Sequence, residues 1–228
     1  MAKKIKKKKK PVAKVNLQEL QESRNGGQVA LRGYSYQFLY SCNLILSSDM
    51  NIVFTLEGIE DIDAIKYSDS SETITHIQVK YSTQRQDASF MDSVLKNYLE
   101  AYLMDKNRYF KLVYDFSVAT GNLSKLFSGK LDKKSKEFWK TKIDNIKNET
   151  ASWNWSDFNF EDFMHRLSFI NVKKDSLEKS IEDFLIKNFE IETDNISLFA
   201  NGIKLLCLDK MESRAKVTPV SYTHLRAH

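Results

Sequence analysis

Residues 57–80 read EGIEDIDAIKYSDSSETITHIQVK, and the fold turns on how this stretch pairs with itself. Asp61 to Tyr67 reads as a strand that begins in an acidic cluster. Ser68 to Glu72 is polar and turn-like, and Thr73 to Tyr81 reads as the next strand. Side chains alternate along a strand. His76, Gln78 and Lys80 therefore share one face, and Thr75, Ile77, Val79 and Tyr81 share the other. The second set suits a core. The first is polar inside a sheet, which is costly unless those groups serve something. A hairpin centred on residues 71–72 sets Asp63 opposite Lys80. Asp63, Gln78 and Lys80 then form one polar group. The competing reading is an acidic turn beside a solvated edge strand.

Outward from this stretch, Asn25-Gly26-Gly27 is a breaker signal. Gln28 to Ser47 is mostly apolar and reads as a largely buried helix. Asn51 to Leu56 reads as a strand, which makes a three-stranded antiparallel meander with the two above. Phe90 to Asp105 has apolar residues at helical spacing, and Phe110 to Thr120 reads as a strand ended by Gly121. Leu131 to Asn148 is lysine-rich and helical, with Phe138 and Trp139 inward. Phe158 to Ser168 and Ser176 to Phe189 read as helices. Asn195 to Leu208 stays open between strand and helix. Strands interleaved with helices imply a sheet with helices packed on it, α/β or α+β.

The chain has 228 residues and is 42% hydrophobic, enough for one domain with a core of its own. Cys42 and Cys207 both lie in apolar runs and read as buried thiols. No cluster of Cys and His has zinc-ligand spacing. No apolar run reaches membrane-spanning length, and no apolar segment follows the basic start, so cytoplasm and no membrane are the expectations. The net charge is +5, but residues 1–10 carry seven lysines, and the rest of the chain stands at −2. Such a tail is expected to be disordered by self-repulsion. Its two readings are salt-dependent phosphate attraction and simple solubilisation. At the other end, Val220 to His228 (VSYTHLRAH) continues no pattern. It reads as a translated adapter on a truncated gene, so residues 217–228 are expected to be non-native.

If the polar group is a site, its chemistry follows from its donors. Asp63 offers carboxylate oxygens and Gln78 an amide oxygen, both suited to a hard cation such as Mg²⁺ or Mn²⁺. Lys80 can orient a water or stabilise charge at a phosphoryl group. Glu57, Glu60 and Asp61 are nearby acids that can complete the shell. Lys125, Lys130, Lys133, Lys134, Lys136 and Lys140 are candidate phosphate contacts, against the plainer reading of a solvated helix face. Trp139, Trp153 and Trp155 read as packing residues before base-stacking ones. His165 reads as a helix-surface residue. No phosphate-binding glycine loop of the Lys-Ser or Lys-Thr type is present.

Gly26-Gly27, Gly33-Tyr34-Ser35-Tyr36-Gln37, Glu57 with Glu60-Asp61-Ile62-Asp63, and Ile77-Gln78-Val79-Lys80-Tyr81 occur in this order. The pattern resembles the N-terminal nuclease domain of bacterial anti-phage effectors linked to cyclic-oligonucleotide signalling. That domain is a PD-(D/E)xK enzyme related to Mrr-type restriction endonucleases. The resemblance implies an α/β fold: a restriction-endonuclease-like core, a central mixed sheet flanked by helices, and a helical C-terminal extension. It implies a nuclease domain over residues 25–210 that cleaves double-stranded DNA with Mg²⁺ or Mn²⁺. It places catalytic roles on Asp63, Gln78, Lys80 and Gln37, and metal ligation on Asp63, Gln78, Glu57 and Asp61. Gln37 stands where that family usually has a carboxylate. The resemblance also implies self-association on activation and a C-terminal sensor or regulatory module beyond this chain. Two alternatives stand beside it: a nuclease for RNA or single strands, and an inactive nuclease fold that binds nucleic acid or a partner.

Overall fold

The computed structural model describes residues 26–189 and 193–219. The basic start and the segment 220–228 lie outside the described residues. Six strands form one mixed sheet. They are β1 (Ile52–Leu56), β2 (Ile62–Ser68), β3 (Ser71–Gln86), β4 (Tyr109–Ala119), β5 (Leu167–Asn171) and β6 (Lys216–Val217), in the order β5-β4-β3-β2-β1-β6. β1, β2 and β3 form the expected antiparallel meander, and β6 adds antiparallel to β1. β3–β4 and β4–β5 are parallel. The fold is α/β, a central mixed sheet flanked by helices.

Helices cover both faces: α1 (Gly26–Ser47), α2 (Met91–Met104), α3 (Gly121–Phe127), α4 (Lys133–Glu149), α5 (Phe160–His165), α6 (Lys174–Phe189) and α7 (Ile196–Ser213). Alternation on the strands divides the core in two. Ile62, Ile77 and Val79 join Phe54 and Leu56 beneath α1, α6 and α7. Phe110 and Leu112 point the other way and pack with Tyr98 of α2 and Trp139 of α4. Local capping fixes several helix starts. The Asp132 carboxylate accepts the Ser135 N–H at 2.7 Å, and the Asn159 side chain accepts the Asp162 N–H at 3.0 Å. Asp115 of β4 accepts the Lys174 N–H at 2.9 Å and so ties the start of α6 to the sheet. Tyr36 of α1 donates to the Val172 carbonyl at 2.8 Å just ahead of it.

The structure departs from the sequence reading in four places. The β2–β3 turn is centred on Asp69–Ser70, not on 71–72, so Asp63 faces His76 and not Lys80. β3 runs on to Gln86 because β4 supplies a second partner beyond the end of β2. The expected helix 158–168 is a short α5 followed by the edge strand β5. The sequence pattern assigns no element to the segments that form α3 and β6, and the open segment after Asn195 is helix α7. Val217 of β6 is buried against Phe54.

Ile77 is the centre of the meander, opposite Ile62 and only 2% exposed. Ile77→Ala is expected to destabilise the fold by roughly 2–5 kcal/mol, the usual range for emptying such a position. Denaturant unfolding checks this, and a loss well under about 1 kcal/mol would contradict the packing described.

Candidate functional site

The β2–β3 ladder stops at Ile62 opposite Ile77, while β3 continues. Beyond that point the strands fork, and the backbone N–H groups of β3 on that side have no strand partner. Asp61 fills the gap: its Oδ2 accepts the Val79 N–H at 2.6 Å. The β1–β2 connection that delivers Asp61 is a tight loop. Glu57 has a left-handed backbone, φ +55°, and its N–H donates to the Asp61 carbonyl at 2.9 Å. A left-handed non-glycine residue costs on the order of 1–3 kcal/mol and persists only where its surroundings enforce it. Gly58 makes a separate close approach: a Cβ there would lie 2.2 Å from the Asp63 Oδ2 and would displace that carboxylate.

A polar cavity of about 290 Å³ opens at this fork. Its walls are Ala30, Gly33, Tyr34 and Gln37 of α1, Glu57 and Asp61 of the loop, and Val79, Lys80 and Tyr81 of β3. The buried Gln37 amide donates to the Glu57 carboxylate at 2.5 Å and joins helix to loop. Four of the residues singled out in the sequence thus meet in one place: Gln37, Glu57, Asp61 and Lys80. Asp63 and Gln78 are not among the lining residues. Asp63 bonds His76 Nδ1 at 2.6 Å and the Ile59 N–H at 2.8 Å. Gln78 is buried, in register with Leu112 of the second core, and its Oε1 has no hydrogen-bond partner among the described residues.

The site is crowded with acids. Burial raises the Glu57 carboxyl above its ordinary range, and the neighbouring Asp61 adds to this. Burial also raises Asp61, opposed by the Val79 N–H and by Lys80. Glu60, 7% exposed and with one oxygen unpartnered, is pushed up to about 7, first by burial and then by Asp61. Lys80 offsets Glu60 and Asp61, and Arg214 offsets Glu57. Sequence reasoning missed Arg108, whose Nη1 donates to His76 Nε2 at 2.8 Å. Nothing in the sequence marks it, because it reaches His76 only through the β3–β4 pairing. The candidate phosphate-contacting lysines are partly engaged locally: Lys125 with Asp132 and Lys136 with Glu161. Trp139 and Trp155 are buried, as packing residues.

No family model and no curated protein matches the chain. Solved structures do share its fold. The Acinetobacter baumannii Cap4 SAVED/CARF-domain containing receptor with the cyclic trinucleotide 2'3'3'-cAAA is 14% identical, with a TM-score of 0.54, over 82% of this chain and 41% of that one. The same receptor with 3'3'3'-cAAA is 15% identical, with a TM-score of 0.54, over 82% and 42%. The Moraxella osloensis Cap4 SAVED/CARF-domain containing receptor is 14% identical, with a TM-score of 0.51, over 80% and 44%. The chain spans about two-fifths of the length of these receptors.

These findings overturn the expectation of a Mg²⁺-dependent endonuclease. Among the described residues, no three His, Cys, Asp or Glu side chains gather where they could hold a metal ion. Asp63, the expected central ligand, is turned onto His76 because the register differs from the one expected. The structures that share the fold are Cap4 SAVED/CARF-domain containing receptors, two of them with a cyclic trinucleotide. The likeness to a PD-(D/E)xK nuclease domain, the assignment as a hydrolase and double-stranded DNA as partner are corrected accordingly. The same correction covers a nuclease governed by a separate sensor and activated by self-association. Among the described residues no helix is long and apolar enough to cross a membrane.

Glu60 gives a pH test of the electrostatics. Its folded-state pKa is raised, so the native state binds its proton more tightly than the unfolded chain. Stability from this group is then present at low pH and falls as pH rises from about 4.5 to about 7. Glu60→Gln is expected to flatten that slope and to raise the melting temperature at pH 8. An unchanged slope would show that Glu60 is not the titrating group.

Proposed function

We propose that the chain is a non-catalytic recognition domain of a larger receptor, and that its pocket takes one nucleotide unit of a nucleic-acid-like ligand. The observation that carries this reading is the convergence of Gln37, Glu57, Asp61 and Lys80 on one cavity. About 290 Å³ lies at the lower end of ligand-pocket sizes, enough for a base with part of its sugar and too small for a duplex. Carboxylates suit the exocyclic amines of a base or a ribose hydroxyl, and an ammonium suits a phosphate. Tyr34, 65% exposed at the rim, offers a ring on which a base can stack. The cyclic trinucleotides held by receptors of this fold supply the chemical class. Mg²⁺ or Mn²⁺ enters the proposal as a counter-ion. Glu57 and Asp61, both raised by burial, supply two carboxylates, and a small divalent cation commonly takes one or two of these with ligand phosphates completing its shell.

Titration calorimetry with 3'3'3'-cAAA, with and without Mg²⁺, tests this reading. Saturable binding is expected, weakened about tenfold or more by Lys80→Ala, the scale of one lost charge-assisted hydrogen bond. Chelating the divalent ion is expected to weaken binding further. Absence of binding to 3'3'3'-cAAA and to mononucleotides would overturn the proposal. So would Mg²⁺-dependent loss of intact DNA that Lys80→Ala abolishes.

A further inference from the structure

Asp63, His76 and Arg108 form a chain of side chains behind the pocket, outside its lining. Asp63 Oδ1 meets His76 Nδ1 at 2.6 Å, and Arg108 Nη1 meets His76 Nε2 at 2.8 Å. His76 is 1% exposed, with its ring stacked on Phe110 at 5.8 Å between centroids. A guanidinium can only donate, so Nε2 must accept and Nδ1 must carry the hydrogen that goes to Asp63. The bond from Arg108 therefore fixes the tautomer that Asp63 needs. Arg108 is itself 3.4 Å from the Asp105 carboxylate, which anchors the far end of the chain just ahead of β4.

The near end of the chain acts on the loop. The second oxygen of Asp63 accepts the Ile59 N–H at 2.8 Å, and Gly58 packs against the same carboxylate with no room for a Cβ. Both contacts fall between Glu57 and Asp61, the two acids of the pocket wall. Glu57 holds a left-handed backbone that needs outside support.

We infer that Asp63, His76 and Arg108 are positioning residues. They hold the 57–61 loop in the one conformation that presents Glu57 to Gln37 and Asp61 to Val79. The consequence for ligand affinity rests on the function proposed above; the consequence for the loop does not. Asp63, which the sequence suggested as a ligand, then acts through the loop and touches nothing in the pocket.

Hydrogen exchange of the unliganded full chain, read by mass spectrometry over residues 57–61 and 79–81, tests this. His76→Phe keeps the ring against Phe110 and removes both hydrogen bonds. His76→Asn keeps a donor toward Asp63 and drops the Arg108 link. Arg108→Met keeps the length of the side chain and removes the charge. Exchange over 57–61 is expected to rise roughly tenfold in His76→Phe and in Arg108→Met, with His76→Asn between them and wild type. Peptides from α2 and α4 serve as the reference and should be unchanged. Uniformly faster exchange across the reference peptides in all three variants would mean general destabilisation and would overturn the positioning role. Wild-type exchange over 57–61 would overturn it too. If 3'3'3'-cAAA fails to bind wild type while the loop responds as expected, the ligand reading falls and the positioning role stands.

Discussion

Ile62 stands opposite Ile77 in the ladder between β2 and β3, and this register decides what every neighbouring side chain does. It sends Ile62, Ile77 and Val79 into one core and leaves His76 and Gln78 on the other face, toward Phe110 and Leu112. It also ends the ladder two residues short of Val79, so that the Asp61 carboxylate takes the place of a strand. A slip by a single residue would exchange the two faces of β3 and bury its polar set under α1. The pocket exists because the strands fork here, and they fork because the apolar pair has to meet.

The electrostatics follow from that geometry. Glu57, Glu60 and Asp61 lie in one short loop that burial pulls away from water, and each has its carboxyl raised as a result. Lys80 opposes Glu60 and Asp61, Arg214 opposes Glu57, and hydrogen bonds from Gln37, Asn97 and the Val79 N–H offset the rest only in part. A wall of this kind accepts hydrogen bonds and welcomes cationic or amine-bearing partners. Recognition of a nucleotide by its base amines, with Lys80 serving a single phosphate, agrees with that balance better than a groove for a polyanionic duplex does.

Much of this was legible in the sequence. Apolar spacing marks α2, a long apolar run marks α1, a lysine-rich run with Phe138 and Trp139 inward marks α4, and alternation on Thr73 to Tyr81 marks the meander. Gln37, Glu57, Asp61 and Lys80 stood out by type and order. The register did not. Ser68 to Glu72 is polar throughout, so several turn centres fit, and the choice moved Asp63 from His76 to Lys80 by four positions. β5 was hidden because it is a half-exposed edge strand without clean alternation, running straight on from a helix. Arg108 and His76 become neighbours only through β3–β4 pairing. The functional reading failed for a related reason. An ordered set of residue types fits a metal site equally well whether or not its side chains converge.

The most direct test of a binding pocket at the β2–β3 fork is an amide chemical-shift map of the chain titrated with 3'3'3'-cAAA. Saturable shifts are expected at Gln37, Glu57, Asp61 and residues 79–81, with those of α4 and β5 unmoved. Shifts centred on the lysines of α4, or none at residues 57–61 and 79–81 at saturation, would contradict a pocket at the fork.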